Sequence, residues 1–117
     1  MKDSSRATLI APAEAVEVAK LVSVAPAAIV SRVLARSAGG SVTIFAFAAG
    51  QELSEHTAPF DALVHVVSGQ LGLTIGGTPV PAAAGEMVVM PAGVPHALRA
   101  VADTTMLLTM LRDRAEG

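Results

Sequence analysis

At 117 residues the chain is the size of one domain; 52% of it is apolar and only 15% is charged, against about 25% charged in a typical soluble protein. The net charge is −2, the lysines and arginines are scattered, and the only aromatics are three phenylalanines, so the basic stripe and stacking surface of a nucleic-acid binder are missing. There is no cysteine, which removes disulfides, thiolate nucleophiles and Cys-based metal sites. No apolar run approaches the ~18 residues of a membrane helix, and Met1–Arg6 is polar, so no membrane partner and a cytoplasmic location are expected.

In chain order, residues 1–11 carry no strong pattern. Pro12–Val22 is expected to form a short helix. Pro12 suits a first turn, Glu14 and Glu17 sit toward the positive end of its dipole, and Lys20 sits toward the negative end. Pro26 separates this segment from a run of strands. Ala28–Arg36 is rich in Ile, Val and Leu, and Ser37–Gly40 reads as a hairpin turn. Ser41–Ala48 alternates Val42, Ile44 and Ala46 against Thr43, Phe45 and Phe47, a period of two. Gly50 opens a loop over Gln51–Asp61. Ala62–Val67 and Leu71–Ile75 follow as strands around Ser68-Gly69-Gln70, and Gly76-Gly77 is a further hairpin turn. Pro79–Ala83, with two prolines, reads as an edge or a loop. Met87–Met90, Ala97–Ala102 and Thr104–Leu111 complete the pattern. Short strands at this spacing argue for an all-β sandwich or barrel, with residues 1–27 as an N-terminal segment and 28–117 as the barrel.

From Ala62 to Gly85 the sequence contains no Asp, Glu, Lys or Arg. Strand-like sequence of that kind has to be mostly buried. In a domain this small, part of the burial is expected against a second copy of the chain, as a homodimer.

The residues with chemistry are the three histidines, His56, His65 and His96. Imidazole is the commonest metal ligand among side chains. His96 follows a turn in which Pro91 ends a strand and Gly93 and Pro95 reverse the chain. That places the histidine at the first position of a new strand, at a sheet end where sites are commonly built. His56 lies in the Gln51–Asp61 segment, and His65 lies within a strand.

Two stretches carry a family resemblance. The pattern G-x5-P-x-G-x2-H-x3-N is met by Gly85, Pro91, Gly93 and His96, with Ala100 in place of the final Asn. The pattern G-x5-H-x-H-x3,4-E-x6-G is met by Gly50, His56 and Gly69, with Ala58 in place of the second His and Ala62 in place of the Glu. Over residues 28–111 the sequence therefore resembles a small single-domain cupin of the RmlC-like kind. The resemblance implies a double-stranded β-helix, or jelly-roll barrel, with a pocket at one mouth and frequent dimerisation. It also implies a ligand set of two His and one Glu from the first pattern and one His from the second. Carried over position by position, only His56 and His96 remain as metal ligands, for a divalent ion such as Zn, Fe, Mn or Ni.

A third ligand is sought among His65, Asp61, Glu55 and solvent. With residue 62 pointing into the barrel, strand alternation turns Val64 and Val66 inward and His65 outward. Exchanging an imidazole and a carboxylate for the methyl groups of Ala58 and Ala62 makes the pocket larger and more apolar. Its expected lining is His56, His96, Val64, Val66, Met90 and Leu98, with Leu71, Leu73 and the phenylalanines as further candidates. Met87, Met90, Met106 and Met110 supply adaptable filler. Two functions follow: a module binding a small organic ligand, or a metal-dependent enzyme (dioxygenase, isomerase or lyase) on a small organic substrate. The catalytic residues of the second are not identifiable from the sequence.

Overall fold

A computed structural model of the protein describes residues 7–112. Residues 1–6 and 113–117, which fall in the N-terminal segment and at the end of the barrel as assigned above, lie outside the described residues. The described residues form ten strands: β1 (Ala7–Thr8), β2 (Ile29–Ser37), β3 (Gly40–Phe47), β4 (Glu52–His56), β5 (Ala62–Ser68), β6 (Gln70–Ile75), β7 (Thr78–Ala83), β8 (Met87–Met90), β9 (His96–Ala100) and β10 (Thr104–Leu111). They make two antiparallel sheets. The larger has the order β1-β2-β3-β10-β5-β8 and the smaller β4-β9-β6-β7. The expected all-β jelly roll is present, and no helix among the described residues is long and apolar enough to cross a membrane.

The period-two alternation of the sequence sets the core. Along β5, Ala62, Val64 and Val66 are buried while Leu63, His65 and Val67 are half-buried on the other face. The inward residues of both sheets meet in one cluster: Phe47 from β3, Val64 and Val66 from β5, Leu71 and Leu73 from β6, Leu98 from β9 and Met106 from β10. Each fully buried Leu, Phe or Met side chain stabilises the fold by roughly 1.5–3 kcal/mol relative to its exposed state. The uncharged run Ala62–Gly85 is less buried than expected: the inward residues of β5 and β6 are covered in the barrel, while most of β7 and the turns on either side of it are exposed.

The N-terminal segment departs from expectation. Pro12–Val22 is not a helix; among the described residues the only helical piece is a 3-10 turn at Val18–Lys20. Ala13 has a φ of +62°, which stops a right-handed helix at its first turn. A helix of this length without an apolar stripe also has too little of its own stability to form unaided. The segment instead lies over the outer face of the larger sheet. Ile10, Val18, Leu21, Val22 and Val24 pack there against Leu34, Ile44 and Ala46 in a second cluster. Arg32 Nη1 donates to the Leu21 carbonyl at 2.7 Å, and β1 pairs with β2, Ala7 opposite Arg36.

The rest of the larger sheet's outer face has no such cover from the described chain. On β8, an edge strand, Met87 and Val89 are 58% and 54% exposed. They pair with His65 and Leu63 of β5.

Candidate functional site

The site forms where β4 ends and β9 begins. β9 starts at His96, as the turn chemistry predicts. The turn is pinned on three sides. The Gly93 amide donates to the Ala58 carbonyl at 2.8 Å, the Gly76 amide donates to the Pro95 carbonyl at 2.8 Å, and the Ala92 amide donates to Asp61 Oδ1 at 2.8 Å. Asp61 is therefore occupied in holding the turn.

His56 arrives from a strand that the sequence does not announce. In β4 (Glu52-Leu53-Ser54-Glu55-His56) only Leu53 is apolar, and the segment was expected to be a loop. β4 pairs with β9, with Leu53 opposite Leu98 and then, after a register shift, His56 opposite His96. In a regular ladder Leu98 opposite Leu53 would bring His96 opposite Glu55. The extra residue of the bulge replaces Glu55 with His56 as the partner of His96, a common use of bulges beside sites. Glu55 is left exposed.

The two imidazoles meet edge to face, with Nε2 of His56 3.2 Å from Nε2 of His96. Each Nδ1 faces a backbone carbonyl, that of Ser54 at 2.9 Å for His56 and that of Val94 at 3.2 Å for His96. A carbonyl only accepts, so both Nδ1 atoms carry hydrogen and donate. Burial, reinforced by the charge of His56, holds the His96 imidazole below its ordinary value, against the opposing effect of the Val94 carbonyl. His96 is 3% exposed while His56 is open to solvent.

Behind the histidines is a cavity of about 230 Å³. His56, Thr57 and Pro59 stand at its exposed rim, and the buried Ala62, Met90, Leu98 and Met106 line its depth. Leu53, Ala58, Leu108 and Met110 complete the wall beside His96. His56, His96, Met90 and Leu98 of the sequence reading are thus brought together. Val64 and Val66 are not in the lining: both point inward, but they are fully covered in the core beside Phe47, Leu71 and Leu73. Leu53, Thr57, Pro59 and Leu108 join the lining unexpectedly. The alternation Met106, Leu108, Met110 along β10 is the signal that would have placed that strand in the wall. A larger open groove, about 480 Å³, lies by the β2–β3 hairpin next to Arg36 and Met110 and contains no histidine.

His65 takes no part. It lies on the outer face of β5, between Leu107 of β10 and Met87 of β8. Among the described residues no three His, Cys, Asp or Glu side chains gather as a metal site.

The family model for the cupin domain matches residues 43–112. The chain belongs to the cupin family. A conserved protein of unknown function from Streptococcus pyogenes is similar to this cupin at 35% identity and a TM-score of 0.85, over 91% of this chain and 93% of that one. A cupin 2 conserved barrel domain protein from Leptotrichia buccalis is 36% identical with a TM-score of 0.76, over 80% of this chain and 45% of that longer one. A cupin superfamily protein from Desulfitobacterium hafniense shares the fold at 23% identity and a TM-score of 0.83, over 89% of this chain and 95% of that one. No curated protein matches this cupin.

The residues present supply half of a metal site. Two Zn–N bonds of about 2.0–2.1 Å place their nitrogens about 2.9–3.4 Å apart for right-angled to tetrahedral geometry, and the Nε2 atoms stand 3.2 Å apart. The positions of the other two family ligands are the methyl groups of Ala58 and Ala62, which face the same cavity.

Proposed function

We propose that this cupin binds a small organic molecule in the barrel mouth, with His56 and His96 as the polar end of an otherwise apolar pocket. The observation that carries the reading is the chemistry of the wall. It is hydrocarbon and thioether apart from the two imidazoles and Thr57, the make-up of a pocket that fixes one end of an apolar ligand. The loss of two metal ligands to alanine supports the same reading, since their space is added to the pocket.

A second reading is favoured by the Nε2 separation. His56 and His96 would hold two positions of a divalent ion, with water or ligand filling the rest, and the bound ion would act as a Lewis acid in a metal-dependent enzyme. Elemental analysis decides between the two. The protein is purified without chelator or nickel resin, beside a His56→Ala/His96→Ala variant. The expected result is far less than one Zn, Fe, Mn or Ni per chain in both samples. Near one metal per chain, lost in the variant, would replace the first reading by the second.

We also propose a homodimer through the outer face of β5 and β8. The support is the bare apolar surface of Met87 and Val89, 58% and 54% exposed on an edge strand. Light scattering is expected to give about twice the 11.8 kDa chain mass. A monomer at micromolar concentration would remove the proposal.

A further inference from the structure

The facing histidines constrain what the cavity can receive. Both Nδ1–H groups are spent on the carbonyls of Ser54 and Val94. What the rings turn toward each other and the cavity is then Nε2, and the two Nε2 atoms stand 3.2 Å apart. With both Nδ1 hydrogens engaged elsewhere, Nε2 is the acceptor that each ring has to offer a ligand hydroxyl. Among the described residues the only other polar side chain in the lining is Thr57, at the rim, and no Asp, Glu, Lys or Arg faces the cavity. A carboxylate or phosphate would find no Lys or Arg there.

Size narrows the class further. The cavity is about 230 Å³, somewhat larger than a ~150 Å³ apolar cavity that takes benzene, and below the ~300–1,000 Å³ of pockets for drug-sized ligands. One six-membered ring with one or two small substituents fits; a nucleoside or a disaccharide does not. Met90, Met106 and Met110 all face this space, and thioethers make favourable contacts with aromatic ring edges.

We propose that the cupin pocket selects a neutral single-ring phenol, its hydroxyl donating to the His56–His96 Nε2 pair and its ring lying among Leu98, Met90 and Met106. The proposal rests on the small-molecule reading above and adds the head group to it. A phenol supplies a donor to Nε2, needs no Lys or Arg as counter-ion, and places its apolar body in the buried part of the cavity.

Chelator-treated protein is titrated with three probes of nearly equal shape: para-cresol, toluene and para-toluate. The methionine methyl resonances report binding in the cavity. Para-cresol is expected to bind about tenfold more tightly than toluene, the worth of one well-made hydrogen bond, and para-toluate not to bind. In a folded His56→Ala/His96→Ala variant, para-cresol should fall to the toluene level. Equal affinities for para-cresol and toluene in the native protein would overturn the proposal, as would tighter binding of para-toluate; in both cases the small-molecule pocket itself would stand. No methyl shift with any probe would overturn the pocket reading and the proposal together. The comparison in the native protein decides the matter even where the double variant fails to fold.

Discussion

Replacing Gly69 by alanine is expected to destabilise the barrel by about 3 kcal/mol, and the same replacement at Gly85 by only about 1 kcal/mol. The two glycines have nearly the same backbone, with φ of +87° and +89°. The left-handed strain is therefore common to both variants. The surroundings differ. A Cβ on Gly69 would come 2.7 Å from Thr104 Cα and 2.5 Å from Thr104 Oγ1, and nearer still to the Asp103 carbonyl oxygen, while a Cβ on Gly85 meets nothing within 4 Å. Thr104 cannot yield. It is fully buried, its Oγ1 accepts from the Gln70 amide at 3.0 Å, and it lies 2.8 Å from the Ala102 carbonyl, to which it donates. Thermal melts of the two variants check this. For a domain of this size each 1 kcal/mol moves the midpoint by about 4–8 °C, so the variants should differ by roughly 8–16 °C. Equal midpoints would mean that the β5–β6 turn shifts freely away from β10.

The second large effect is a gain. Ala58→His with Ala62→Glu restores imidazole and carboxylate at two positions that face His56 and His96 across the cavity. Without metal the double variant should be less stable than the native protein, because Ala62 is 3% exposed and a carboxylate placed there gives up its hydration. With Zn or Mn at a hundredfold excess over its dissociation constant, the folded state should gain about 2.7 kcal/mol. The native protein, with half the ligands, should respond far less. Melting curves with and without metal measure both terms. A variant destabilised without metal and not rescued by it would show that the β4–β5 loop does not bring the two new side chains to the histidines. In a rescued variant, binding of para-cresol should be lost, since the added groups and the ion occupy its space.

Much of this architecture could be read from residue order. β3, β5 and β10 alternate with period two because one face of each meets the opposite sheet, and the alternation of Val64 and Val66 against His65 assigned their faces before the structure did. The turn Pro91–Pro95 placed His96 because its proline and glycine chemistry is local. β4 was not legible: its polar face is solvated, Leu53 is its only apolar residue, and what makes it a strand is its pairing with β9. The choice of His56 over Glu55 as the partner of His96 depends on a bulge, and a bulge is settled by the ladder between two strands rather than by either strand alone. The N-terminal segment was misread for a related reason. Its charges suited a helix dipole, but contacts to Leu34 and Ile44, distant in sequence, decided its course.

Strand order has a consequence for how the protein comes into being. β10 lies between β3 and β5, so until residues 104–111 have left the ribosome those two strands have no common neighbour. The same strand brings Met106, Leu108 and Met110 to the cavity and Met106 to the main core. A nascent chain that ends before β10 therefore exposes the apolar faces of both sheets, a state prone to aggregation. Closing the larger sheet and closing the wall of the cavity are thus the work of one strand, the last of the ten in chain order.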